Sequence, residues 1–149
     1  MRMHGLVAAF VFLPCAHLAA QQAPDRRITQ SGETVTIYSI SWPTPISNVV
    51  ADVEVCASSN APPGTFAFPS WFQLHLADGS VIGSSGTAKQ PNLEITPLKP
   101  KQCARGWIQF AMVVGQKPVA IHYHEAAKDK KPIDWPVKQA RCALRLTFA

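Results

Sequence analysis

This sequence lacks most of the short signals that mark chemistry in a small protein. No two cysteines stand in a C-x-x-C spacing, which removes zinc-ribbon and thioredoxin-like sites. Ser84-Ser85-Gly86 lacks the G-x-S-x-G context of an esterase elbow. Charge is sparse, 15% of 149 residues, with a net +5 that gathers nowhere except at Lys128, Lys130 and Lys131. Nucleic-acid binders concentrate basic charge in a patch or stripe, so no nucleic-acid partner is expected, and the lysine run reads as a solvated loop. After residue 20 no apolar run approaches the roughly 20 residues of a membrane span. There is no internal repeat and no amphipathic helix of ordinary length.

Apolar residues make up 47%, enough for a core, and thirteen prolines and eight glycines punctuate the chain. That punctuation suits many short strands. The N-terminus has Arg2, an apolar stretch from Leu6 to Ala20, and small Ala19 and Ala20 before polar Gln21 and Gln22. This is the order of a secretory signal over residues 1–20, cleaved near Ala20. A lipoprotein acylated at Cys15 is the less favoured alternative, because Pro14 stands where a small residue is needed. The protein is therefore expected outside the cell or in the envelope.

Removal of the leader leaves Cys56, Cys103 and Cys142. An oxidising compartment makes one pair plus one leftover the natural count. Alternation places Val49, Ala51, Val53 and Val55 on one face of VVADVEVC, and Asp52, Glu54 and Cys56 on the other. In CARGWIQF and the residues after it, Ala104, Ile108, Phe110 and Met112 share a face opposite Cys103, Arg105 and Gln109. Both cysteines lie on polar faces near strand ends, which predicts a Cys56–Cys103 bridge at a sheet margin. Cys142 is then a buried thiol or a link to a second chain in a dimer.

Along the chain, residues 21–32 read as a flexible segment and 33–149 as one domain, with an uncertain tail from about 138. Glu33 to Ile40 is β-branched and reads as a strand. Phe72, Leu74 and Leu76 alternate ahead of Asp78-Gly79, a hairpin turn, and Ser80 to Ile82 begins the return. A short edge strand is expected around Leu93 to Thr96. Gly115 to Pro118 reads as a turn that pairs VAIHYH (Val119–His124) with CARGWIQFAMVV. AAKDKKPIDW reads as a charged loop, and RCALRLTF as strand or helix. About seven short strands with regular turns predict an all-β sandwich.

The order VADVEVC, FQLHLADGS, LKPKQCARGWIQF, GQKPVAIHY resembles a domain family of unknown function in secreted bacterial proteins, related to a mycobacterial secreted immunogenic protein family. Phe72 to Gly79 match its hairpin, Leu98 to Pro100 its approach segment, and Gly106, Phe110 and Met112 its last strand. Lys101 stands where the family has glycine. The resemblance covers residues 33–124 and implies a telokin-like, immunoglobulin-like β-sandwich. It brings no catalytic residues, and its matching positions are turn and core residues that speak for fold.

Two surface features are candidates for function. His122 and His124 form H-x-H on a strand and so share a face, a spacing able to chelate copper or zinc. His75 lies on the polar face of its own strand, and the three could meet if those strands are neighbours. Trp42, Trp71, Trp107 and Trp135 are numerous for this length, and outward aromatics form contact surfaces. Asp52 and Glu54 share a face as a carboxylate pair would in a sugar hydrolase, but they read as partners of surface cations. The expectation is a non-catalytic exported domain without a cofactor that binds a protein or envelope component. The alternatives are metal binding through His75, His122 and His124 and, third, a small hydrolase.

Overall fold

The structure is a computed structural model that describes residues 24–42, 47–125 and 131–138. The leader at 1–20, Cys15, Lys128, Lys130, Cys142 and the segment 139–149 lie outside the described residues. Among the described residues there is no α-helix, and no helix is long and apolar enough to cross a membrane.

The described residues form ten strands: β1 (Asp25–Ile28), β2 (Thr34–Ser41), β3 (Val49–Cys56), β4 (Phe66–Ala67), β5 (Phe72–Leu76), β6 (Val81–Gly83), β7 (Thr96–Pro97), β8 (Cys103–Phe110), β9 (Pro118–Tyr123) and β10 (Ile133–Pro136). They make two four-stranded sheets, ordered β1-β2-β3-β8 and β10-β9-β5-β6, and a two-stranded ribbon of β4 and β7. All the strand pairs are antiparallel.

The period-two pattern builds the interior. Val49, Ala51, Val53 and Val55 of β3 are fully buried, and so are Phe72 and Leu74 of β5 and Ile121 of β9. These side chains from both large sheets belong to one apolar cluster, so the fold is a β-sandwich. Gly79 takes φ 85 in the hairpin turn between β5 and β6, a conformation glycine adopts at no steric cost.

Three expectations need correction. Residues 21–32 were expected to be flexible, yet Asp25–Ile28 pairs with β2 across four register positions. The 126–135 region was expected to be a loop, yet its end forms β10 against β9. Trp135 is the reason for both. Its ring is fully buried, its Nε1 donates to the Asp25 carbonyl at 3.2 Å, and the Arg27 guanidinium lies 5.3 Å from the ring centroid. One indole thus ties an edge strand of each sheet together. Finally, β9 does not pair with β8. The chain leaves β8 and crosses to the second sheet, where β9 lies between β10 and β5.

The outer edge of β8 is covered by the segment that joins β6 to β7. Ser85 and Gln109 exchange backbone hydrogen bonds at 2.7 and 3.0 Å; Trp107 N donates to the Pro91 carbonyl and Leu93 N to the Trp107 carbonyl. Gly106 permits this approach, because a Cβ there would overlap the Asn92–Leu93 backbone.

A candidate metal centre on the outer face of the second sheet

β5 and β9 are adjacent, with Gln73 opposite His122 and His75 opposite Ala120. His75 is therefore the diagonal neighbour of His122, within reach of a long side chain. His124 follows β9 and is fixed by its backbone N–H, which donates to the Trp71 carbonyl at 2.9 Å. Since Leu74, Ile121 and Tyr123 point into the core, alternation sends all three histidines outward.

The three imidazoles converge. One ligand nitrogen from each lies within 4.8 Å of the other two. The His75 and His122 rings are stacked with centroids 3.5 Å apart, and His124 lies 6.2 Å from His75 and 6.0 Å from His122. The rings are half-buried. His75 Nε2 and His124 Nε2 are shielded from solvent and have no hydrogen-bond partner. A buried nitrogen left without a partner costs about 1–3 kcal/mol, and such groups call for a functional explanation.

β10 supplies the outer support. Asp134 is opposite His122 in the ladder, and its Oδ1 lies 3.3 Å from His122 Nδ1. No hydrogen bond forms across this distance, so Nδ1 too is without a hydrogen-bond partner among the described residues, although the carboxylate stands close beside it. A carboxylate beside one ring nitrogen leaves the other free to bind a metal. Burial pulls the His122 pKa below its ordinary value; His75 and His124 act in the same direction and Asp134 opposes them. The neutral, metal-binding form is therefore favoured.

The tryptophans do not form a common surface. Trp42 and Trp135 are buried, which corrects their assignment to partner contact. Trp71 packs on Phe68 and Tyr123 at 4.8 and 5.9 Å, on the second sheet. Trp107 is on the first sheet, with Lys89 Nζ 4.0 Å from its ring centroid. Asp52 accepts from Arg105 at 3.1 and 2.7 Å and Glu54 accepts from the Tyr38 hydroxyl at 3.1 Å, so both members of the suggested carboxylate pair have partners.

Cys56 and Cys103 are bonded, and they stand directly opposite each other at the ends of β3 and β8. This is the margin position that strand parity predicted. Sequence reasoning missed Asp134, whose only signal was a carboxylate in a segment read as loop. A comparison with known protein families, curated proteins and solved structures finds no match to this chain.

Proposed function

We propose that this protein is an exported β-sandwich that binds one transition-metal ion through His75, His122 and His124. The convergence of three outward imidazoles, two with buried and unpartnered Nε2 atoms, supports this reading. An all-imidazole donor set suits copper or zinc and offers nothing to calcium or magnesium, which take oxygen ligands. A tetrahedral ion with bonds of about 2.0–2.1 Å holds its nitrogens about 3.4 Å apart. The rings therefore have to leave their stack and turn inward to share an ion. The activity is binding rather than catalysis. Export is supported by the leader-like N-terminus and by the intramolecular disulfide, which suits an oxidising compartment.

Kinship with the telokin-like secreted family is part of the proposal. Its ground is the sequence resemblance, from which Lys101 departs by standing where that family has glycine; Lys101 takes φ 65, a left-handed conformation. A contact role for the domain is the second reading, favoured by half-exposed Trp107 on β8 and half-exposed Trp71 in the 3-10 turn Pro69–Trp71 ahead of β5.

Titration with zinc and with copper tests the metal reading. At a free-ion concentration of 100 times Kd, stabilisation of about 2.7 kcal/mol is expected, with histidine NMR shifts confined to these three rings. The variant His75→Gln/His122→Gln/His124→Gln should lose both responses and keep its fold. An unchanged melting temperature and unchanged histidine signals in the parent chain would remove the proposal.

A further inference from the structure

We infer that a metal ion held by these histidines keeps one coordination position open to solvent, and that a small exogenous anion binds there. The inference rests on the metal reading above.

Its first support is the donor count. Among the described residues the convergent group holds three ligands, all neutral when they bind. Asp134 and Glu125 are neighbours of the group but not members of it. Asp134 Oδ1 lies 3.3 Å from His122 Nδ1, and its side chain is 54% exposed. The Glu125 carboxylate accepts the Ser31 N–H at 3.2 Å. Three ligands and no fourth among the described residues is the pattern of a site that admits an external ligand, whereas structural sites are closed by four.

The second support is charge. Three imidazoles and a divalent ion carry two positive charges on a half-buried face, and Asp134 offsets only one from beyond the ligand shell. An anion in the vacant position neutralises the remainder where solvent screening is reduced.

The third is space. The histidines lie on the outer face, half-buried rather than enclosed. On that face β6 presents Gly83 opposite Gln73, whose other neighbour across the ladder is His122, so Gly83 stands two strands from His122. A Cβ built on Gly83 meets nothing within 4 Å, so the rim of this face is open.

Azide added to the copper(II)-loaded chain is the test, with copper retention measured first by equilibrium dialysis. One retained copper, and an azide-to-copper charge-transfer band that saturates at one azide per copper, is the expected result. His122→Gln should abolish the band. Copper retained with no band and an unchanged electron paramagnetic resonance spectrum would overturn this inference alone, since it places a fourth protein donor on the ion. Failure to retain copper would overturn the metal reading as well. A band of full intensity in His122→Gln would place the azide-binding copper away from this site and overturn the inference too.

Discussion

The outer faces of the two four-stranded sheets are built by the same alternation and end in opposite chemical states. On β3 and β8 every principal group has a partner. Arg105 grips Asp52 with two hydrogen bonds and lies over the Tyr38 ring at 3.7 Å. The Tyr38 hydroxyl donates to Glu54, and Cys56 is bonded to Cys103. On β5, on β9 and just after it, the equivalent positions hold three histidines, each with a shielded nitrogen that has no hydrogen-bond partner among the described residues. The first face is satisfied by its own residues. The second is left incomplete, and polar groups without a partner lower stability, which is the feature on which the proposed metal site rests.

The contrast yields three tests, in decreasing order of effect. The Cys56→Ser/Cys103→Ser variant should be the most damaging. The bridge closes a separation of 47 residues, for which the chain-entropy relation gives about 4 kcal/mol. Urea unfolding should show that loss in the midpoint, and a change under 1 kcal/mol would mean that the first face owes little to its cross-link. Asp52→Asn should be far milder. Arg105 is half exposed, so the ion pair contributes about 1 kcal/mol or less, and its effect should shrink further in high salt.

The smallest change is expected from His122→Gln in metal-free protein, within about 0.5 kcal/mol at pH 8. Its signature lies in the pH dependence. Burial depresses the folded-state pKa of His122 below the ordinary 6.5. In the window between the two values the unfolded chain binds more protons, so stability is complete above about 6.5 and falls as the pH drops through that window. His122→Gln should flatten the acid side of a plot of melting temperature against pH. An unaltered slope would show that the second face does not resist protonation.

Much of this contrast could be read from residue order, for a definite reason. Where one face is buried, a strand records its orientation in every second residue. β3 and β5 did so, which fixed the outward direction of Cys56 and His75. The hairpin at Asp78-Gly79 was equally plain because positive φ selects glycine. The rim strands were not legible. DRRI in β1 has no apolar alternation and is held by pairing with β2 and by the indole of Trp135. IDWP in β10 ends in proline, which edge strands tolerate and which reads as a break. The partner of β9 was hidden for another reason. A turn signal after β8 says that the chain reverses, not whether it returns to the same sheet. The meeting of His75 with His122 depends on that choice, so parity could nominate the histidines but only the fold could assemble them.

The cover over β8 bears on how copies of this molecule behave toward one another. A strand at a sheet margin normally offers a ladder of donors and acceptors on which a foreign strand can zip. Here Trp107 and Gln109 have already given theirs to Pro91, Leu93 and Ser85. The missing side chain of Gly106 keeps that guard pressed close. At high concentration this flank resists stacking into fibrils, and any ordered assembly has to begin from another border of the sandwich.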